Sequence, residues 1–229
     1  MKKYQTLLFD IDHTLLDFHA SEKAALQLLF QSQNFLLTNE IETEYQKINR
    51  KLWQSFERGE TSRDEVVNTR FSILFDQFNQ KVDGAYFEQI YCSYLEQGNH
   101  LINGALDTVS RLHNNYDLYI VTNGVSKTQF KRLHSSGLHE FFKAVFVSED
   151  TGYQKPMKEF FDYVFKRIPH FSSKQTLIIG DSLSSDMKGG NLVGIDTCWF
   201  NPQKQTNHTD IIPTYEIQSL EDIHFILNE

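Results

Sequence analysis

Two aspartates, Asp10 and Asp12, come directly after an apolar run near the start of the chain, in the stretch YQTLLFDIDHTLLDF. In a β-strand, residues i and i+2 point to the same side. Two carboxylates would therefore lie side by side at a strand end, where they repel each other. A hydrogen-bonded turn or a bound cation would offset that repulsion, and the rest of the sequence decides between the two.

Three further apolar runs are followed by polar residues suited to chemistry. Thr122 and Asn123 end the run YDLYIV, Lys155 lies in the loop after KAVFV, and the run QTLIIG leads into Asp181 and then Asp186. Each is weak evidence alone, because such residues often form turns or cap the next helix. Together they predict one site at the carboxyl ends of neighbouring parallel strands, where ligands bind in such sheets.

An aspartate nucleophile fits the first of these strand ends. An ionised carboxylate attacks without an activating base, but a phosphate dianion repels it. A divalent cation held by Asp10, Asp181 and the backbone oxygen of Asp12 would cancel that repulsion. Oxygen ligands favour Mg²⁺ over zinc, and no His/Cys cluster competes for a metal. The pattern predicts a Mg²⁺ site that supports phosphoryl transfer.

The remaining polar groups fit the transition state of that reaction. The Thr122 hydroxyl, the Asn123 backbone N–H and the Lys155 ammonium are predicted to bind the phosphoryl oxygens as negative charge spreads over them. Asp12, two residues after the predicted nucleophile Asp10, is placed to protonate the leaving alkoxide and then to activate water.

These residues need a sheet to bring them together. Strands that alternate with helices, each strand a nearly continuous apolar run, predict an α/β fold with a parallel sheet covered by helices on both faces. Between about residues 20 and 96 only helical periodicity is found. We therefore expect a catalytic core of residues 1–16 and 100–229, with an all-helical insert at residues 17–99 that we call the helical insert.

Three helix starts are predicted from the spacing of a capping box, in which a small polar residue is followed three residues later by Glu or Gln. These pairs are Asn39 with Glu42, Ser62 with Glu65, and Ser126 with Gln129. The third pair would begin the helix that follows the Thr122 strand.

Composition excludes several classes of function. The chain of 229 residues carries a net charge of −8 and no Lys/Arg-rich run, which argues against a nucleic acid polymer as partner. The first apolar run stops at Asp10, too short for a signal peptide, and no stretch reaches the length of a membrane span. Cys92 and Cys198 lie far apart in apolar surroundings. We therefore expect a cytoplasmic protein without membrane partners.

The stretches DIDHT, VTNG, KP and GDSLSSD resemble the four motifs of the haloacid dehalogenase (HAD) superfamily, across essentially the whole chain. The resemblance implies a three-layer Rossmann-like core with an inserted helical cap of the C1 type. It also implies that Asp10 is the nucleophile and Asp12 the acid/base. Thr122 and Lys155 would bind the phosphate, and Asp181 and Asp186 would be the acids beside the metal. The superfamily's dehalogenases lack an acid at the place of Asp12 and need no metal, so the resemblance implies a Mg²⁺-dependent phosphatase. His13 stands where many members have Gly.

A narrower resemblance concerns the substrate. The stretches NRKLWQSFERGETSRDEVVNTRF and IDTCWFN are similar to 5′-nucleotidases that act on pyrimidine and non-standard deoxynucleoside monophosphates. This implies a nucleoside 5′-monophosphate phosphatase that works through an aspartyl-phosphate and favours pyrimidine deoxynucleotides. Trp53 and Phe56 are either core residues of the helical insert or a stacking surface for a nucleobase.

Two other functions are compatible with the same residues. A sugar-phosphate or phosphoglycolate phosphatase, or a phosphosugar mutase, would use the same core. A mutase returns the phosphoryl group to a second hydroxyl and not to water, and only the chemistry of the helical insert separates the two. A non-catalytic domain that binds a phosphate ligand belongs to another class. The four residues Asp10, Asp12, Lys155 and Asp181 argue against that class, because a domain that only binds needs no nucleophile.

Overall fold

The computed structural model describes residues 4–227 of the chain. The chain divides into two compact units, one made of the residues up to Phe18 and from Asn99 onward, the other of His19–Gly98. The second unit begins two residues later and ends one residue earlier than the insert expected at 17–99. Within residues 4–227, no helix has the length and apolar character needed to cross a membrane.

The first unit contains a six-stranded parallel sheet in the order β3-β2-β1-β4-β5-β6. Its strands are β1 Thr6–Phe9, β2 Asp117–Thr122, β3 Ala144–Val147, β4 Thr176–Gly180, β5 Asp196–Phe200 and β6 Tyr215–Ile217. The last residue of β1, Phe9, lies opposite Ile120 of β2 and Ile179 of β4. The parallel α/β fold predicted from the sequence is confirmed. Strands β2 and β3 lie on one side of β1, and β4, β5 and β6 lie on the other. Because the strands are parallel, the polar residues after β1, β2 and β4 meet at the same end of the sheet.

The described helices are α1 Phe18–Ser32, α2 Asn39–Glu57, α3 Arg63–Gln77, α4 Gly84–Leu95, α5 Ala105–Leu112, α6 Ser126–Ser135, α7 Ser148–Thr151, α8 Lys158–Phe165, α9 Lys188–Val193 and α10 Ile223–Leu227. Five consecutive helices, α1 to α5, lie between β1 and β2, and the remaining described helices follow the later strands. Short 3₁₀ turns cover His139–Phe141, Ser173–Gln175 and Leu220–Asp222, and a π-helical turn at Leu183–Met187 leads into α9.

Both faces of the sheet are buried. Side chains alternate between the two faces of a strand, so Leu7 and Leu8 of β1 point to opposite sides. Leu7 packs in one apolar cluster with Val109 of α5, and Leu8 packs in another with Phe160 of α8. The sheet is therefore the middle of three layers, which explains why its central strands contain apolar residues throughout.

The helix starts follow the predictions only in part. Ser62 caps α3 as predicted, because its side chain accepts a hydrogen bond from the Glu65 backbone N–H at 3.1 Å. For α2 the prediction is wrong by one residue, since Thr38 has the extended backbone of an N-cap and Asn39 is already helical. For α6 the predicted cap is also wrong. Its N-cap residue makes no side-chain cap, and the Gln129 side chain lies at the candidate site described below.

The His19–Gly98 unit contains a polar network inside its apolar core. Arg70 of α3 is 3% exposed and forms two hydrogen bonds with the Glu88 carboxylate, at 2.6 and 2.7 Å. Its third nitrogen donates to the Asn49 side chain at 2.8 Å, and Asn49 donates in turn to Glu22 at 3.0 Å. Burial raises the pKa of Glu22 to about 7, against the opposing effect of Arg70. The network joins one residue from each of α1, α2, α3 and α4.

We expect Arg70→Met to destabilise this unit by about 3 kcal/mol, because it leaves the Glu88 carboxylate buried without its cation. Of the two tryptophans in the chain, Trp53 lies in this unit. In a Trp199→Phe background, urea unfolding followed by tryptophan fluorescence therefore reports on this unit alone. Arg58→Met is the matched control, since the Arg58–Glu60 ion pair is exposed. An Arg70 variant as stable as this control would contradict the prediction.

Candidate active site

The order of the strands brings the predicted site residues together. Asp10 follows β1, Thr122 ends β2 and Asp181 follows β4, and β1 is paired with both neighbours. Parallel strands present their carboxyl ends at the same edge. The candidate site therefore lies at the centre of the sheet, with Asp10 in the middle.

The Lys155 ammonium group joins the acids of the site. The side chain is 2% exposed and donates to the carboxylates of Asp10 at 2.7 Å and Asp186 at 2.6 Å. Its third hydrogen bond goes to the backbone oxygen of Val121 at 2.7 Å. An ammonium group has three donors, so all of them are used. Lys155 thus offsets part of the repulsion between two buried carboxylates.

Asn123 fixes the backbone that carries this lysine. Its side-chain oxygen accepts from the Lys155 backbone N–H at 2.8 Å, and its side-chain nitrogen donates to the Lys155 backbone oxygen at 2.9 Å. The sequence predicts a role for the Asn123 backbone N–H in phosphate binding, and that role stays a prediction. No sequence pattern indicated the two hydrogen bonds made by the Asn123 side chain, which link the end of β2 to a loop 32 residues later.

Three carboxylates form an acidic cluster. One oxygen from each of Asp10, Asp181 and Asp186 lies within 4.8 Å of the others. Burial raises the pKa of Asp10 to about 7, with Lys155 acting in the opposite direction and the neighbouring carboxylates adding to the rise. Burial and the charges of Asp10 and Asp186 also hold the pKa of Asp181 well above its usual range. This set of hard oxygen donors fits a divalent cation such as Mg²⁺.

Three neighbouring groups place the two acids that follow β4. An added Cβ on Gly180 would lie 2.2 Å from an Asp186 carboxylate oxygen, so only glycine allows Asp186 this close to the strand end. The same oxygen accepts from the Ser182 backbone N–H at 3.2 Å. The indole N–H of Trp199 donates to the Asp181 backbone oxygen at 2.8 Å, which fixes the start of this loop from β5.

The Asp12 carboxylate lies outside the acidic cluster and has partners of its own. One oxygen accepts from Arg132 at 2.5 Å and the other from the Gln129 side chain at 2.8 Å. Gln129 also donates to the Thr122 hydroxyl at 2.9 Å. The side chains of Asp12 and Thr122, predicted as separate parts of one site, are therefore connected through α6.

Gln129 and Arg132 are site residues that the sequence analysis missed. The predicted capping box assigned Gln129 to the start of α6. A different pattern in the sequence points to the site. Two polar residues spaced i, i+3 occupy the buried face of the helix that follows the Thr122 strand, where apolar residues are expected.

His13 has a backbone φ of +59°, in the left-handed region that favours glycine. A glycine would adopt this conformation without steric cost. The ring of His13 packs edge-on against Phe18 with centroids 5.5 Å apart. That contact helps to hold the residue in an unfavourable backbone conformation.

The chain is similar to several known proteins. The "Putative HAD-hydrolase YfnB" of Bacillus subtilis (strain 168) is 60% identical over 228 residues, which cover 100% of this chain and 97% of YfnB. A crystal structure of YfnB bound to magnesium superposes with a TM-score of 0.95 at 59% identity, covering 100% of both chains. The pyrimidine 5′-nucleotidase PynA of Streptococcus pneumoniae (strain ATCC BAA-255 / R6) is 44% identical, over 96% of this chain and 93% of PynA.

The family model for haloacid dehalogenase-like hydrolases matches residues 7–200. This range contains every residue of the acidic cluster, together with Asp12, Thr122 and Lys155. The superfamily resemblance of the four sequence motifs is thereby confirmed. The chain belongs to the haloacid dehalogenase-like hydrolases.

Proposed function

We propose that this hydrolase is a Mg²⁺-dependent phosphomonoesterase that acts on nucleoside 5′-monophosphates, pyrimidine deoxynucleotides above all. The observation that carries the proposal is the grouping of Lys155 and three carboxylates around the end of β1. A cation and an anionic nucleophile next to each other suit attack on a phosphate group. The 44% identity to the pyrimidine 5′-nucleotidase PynA supports the nucleotide part of the proposal.

In the proposed reaction, the Asp10 carboxylate attacks phosphorus. A bond forms between an Asp10 oxygen and phosphorus while the ester oxygen–phosphorus bond breaks, and the proton of the Asp12 carboxyl passes to the leaving nucleoside oxygen. In the second half, Asp12 takes a proton from water, and that water attacks the aspartyl-phosphate. Inorganic phosphate leaves, Asp10 is again a carboxylate, and Asp12 is again protonated.

The other proposed roles concern the phosphoryl group and the metal. The Thr122 hydroxyl and the Asn123 backbone N–H bind the phosphoryl oxygens, and the Lys155 ammonium binds them by exchanging one of its three present acceptors. The metal-binding residues are Asp10, Asp181 and the backbone oxygen of Asp12, with support from Asp186. When bound there, Mg²⁺ neutralises part of the phosphate charge that repels Asp10.

The proposed cellular setting is the cytoplasm. No disulfide joins Cys92 and Cys198, and the Cys198 side chain is buried. Burial raises the pKa of the Cys198 thiol well above its usual range, so it is a poor nucleophile at neutral pH. Two cysteines that are not joined by a disulfide agree with a reducing compartment.

A screen of phosphate monoesters tests the proposed substrate class. We expect higher kcat/KM for the 5′-monophosphates of thymidine and deoxyuridine than for hexose phosphates or phosphoglycolate, measured as phosphate release with Mg²⁺. Asp10→Asn should lower kcat at least about a thousandfold, as expected for loss of a covalent nucleophile. Asp107→Asn, at an exposed ion pair of α5, is the matched control and should retain parental activity.

Two results of this screen would contradict different parts of the proposal. A sugar phosphate that is hydrolysed better than every nucleotide would overturn the nucleotidase assignment and leave the phosphatase chemistry in place. An Asp10→Asn protein with activity within about tenfold of the parent would remove Asp10 from the role of nucleophile.

Metal exchange tests the acidic cluster. Chelation with EDTA should abolish hydrolysis of p-nitrophenyl phosphate, and added Mg²⁺ should restore it. Ca²⁺ should inhibit, because its larger and looser coordination shell would misplace the nucleophile and the phosphate. Titration calorimetry gives a readout without turnover, in which Asp181→Asn should weaken Mg²⁺ binding. Full activity in EDTA would refute the metal site.

A further inference from the structure

We propose that Gln129 and Arg132 of α6 are positioning residues, which hold the Asp12 carboxylate and the Thr122 hydroxyl in their working orientations. The inference rests on the proposed phosphatase function, in which these two groups handle the proton and the phosphoryl oxygens. We refer to Gln129 and Arg132 together as the α6 clamp.

Arg132 is a strong constraint on Asp12. Its side chain is 0% exposed, and one guanidinium nitrogen lies 2.5 Å from an Asp12 oxygen. The Phe18 ring lies 5.5 Å from the guanidinium carbon and adds a cation–π contact. A guanidinium stays charged in a protein, and a buried charge is costly without an anionic partner. The Asp12 carboxylate therefore has a strong preference for the position beside Arg132.

The orientation of the Gln129 amide follows from its two neighbours. Its oxygen accepts from Arg132 at 3.1 Å, and its nitrogen faces the Asp12 carboxylate at 2.8 Å. Arg132 can only donate, and an ionised carboxylate can only accept. Reversing the amide would place donor against donor and acceptor against acceptor, so the cation and the anion together fix the amide.

The fixed amide determines what the Thr122 hydroxyl can do. The Thr122 oxygen accepts from the Gln129 side chain at 2.9 Å and from the Gly124 backbone N–H at 3.3 Å. A hydroxyl has two acceptor positions and one donor, so both acceptor positions are used. Its hydrogen is left to donate, which is what binding of a phosphoryl oxygen requires.

The clamp also leaves Asp12 able to transfer a proton. Each of its oxygens accepts one hydrogen bond from α6, and each keeps a second lone-pair position. The side chain is 25% exposed, so this second position is within reach of a ligand. The carboxylate is thus held in place while a lone pair stays available.

Gly124 makes room for the clamp. A Cβ added to Gly124 would lie 2.6 Å from the amide carbon and nitrogen of Gln129. The close approach of the Gln129 amide therefore requires a glycine at the last position of the VTNG motif. Any larger residue would push the amide away from Asp12 and Thr122.

A double-mutant cycle tests the clamp. The proteins are the parent, Asp12→Asn, Arg132→Met and the double variant, each assayed with thymidine 5′-monophosphate and p-nitrophenyl phosphate. Arg132→Met should lower kcat for the nucleotide about tenfold to a hundredfold, the cost of misplacing a catalytic group. The loss for p-nitrophenyl phosphate should be about threefold or less, because its leaving group needs little protonation.

The cycle also predicts strong non-additivity. In the Asp12→Asn background, Arg132→Met should change kcat by no more than about twofold, because the group it positions is already gone. Gln129→Glu differs from Asp12→Asn and Arg132→Met, since it also removes the hydrogen-bond donor to the Thr122 hydroxyl. It should lower kcat/KM for both substrates, as phosphoryl binding is common to them.

Two further variants separate positioning from folding. Lys131→Met, at an exposed residue of the same helix, should leave both activities unchanged. Arg132→Lys keeps the charge but has fewer donors in a different geometry, so it should give the same dependence on the leaving group with a smaller loss. Urea unfolding followed by tryptophan fluorescence shows whether Arg132→Met is folded. If it is not folded, Arg132→Lys is used to test the dependence of kcat on the leaving group.

The possible outcomes distinguish the two proposals. Two results would overturn the positioning role alone. One is an equal loss of kcat for both substrates in Arg132→Met, and the other is the same loss on Arg132→Met in the parent and in the Asp12→Asn background. If the parent hydrolyses other alkyl phosphates but no nucleotide, the substrate assignment fails, and the cycle uses the best alkyl phosphate instead. A parent without any phosphatase activity would overturn both proposals.

Discussion

The buried contact of Lys155 with Asp10 and Asp186 is the interaction on which the rest of the site depends. Two carboxylates at the end of a buried sheet repel each other and lose their hydration, and one ammonium group with three acceptors offsets both costs in part. The pKa of Asp10 is still raised to about 7, so burial is not fully compensated. A divalent cation in the acidic cluster would complete this compensation. This is the physical reason for proposing Mg²⁺ as the cofactor.

The supporting residues follow from the need to keep these charges in place. Asn123 fixes the backbone of Lys155, Gly180 allows Asp186 close to β4, and Trp199 fixes the loop of Asp181. None of these three needs to touch a substrate. Each removes a freedom of movement from a charged group, and this is the condition for electrostatic stabilisation of a transition state. Arg132 has the same relation to Asp12, with a guanidinium in place of the ammonium.

The His19–Gly98 unit also contains a buried ion pair. Arg70 and Glu88 form a paired, doubly hydrogen-bonded contact in its core, and Asn49 connects them to Glu22. A buried ion pair of this kind adds little net stability compared with apolar packing, but it penalises any arrangement that separates the charges. We interpret the network as a device that sets the mutual register of four helices, since it takes one residue from each.

The sequence by itself determined the fold class and predicted the acids of the candidate site, because both depend on local patterns. Apolar strands alternating with helices predict a parallel sheet, and the residues after the strands predict what meets at its edge. It did not determine the partners of Asp12. Gln129 and Arg132 lie 117 and 120 residues from Asp12 along the chain, and the spacing of Ser126 and Gln129 allows a capping role for Gln129 as well as a site role. Only the tertiary structure decided between these roles, because the packing of α6 beside β1 and β2 brings its buried face to the carboxylate. The same holds for Asn123 and Lys155, whose paired bonds exist only once the β2 end and the later loop are folded together.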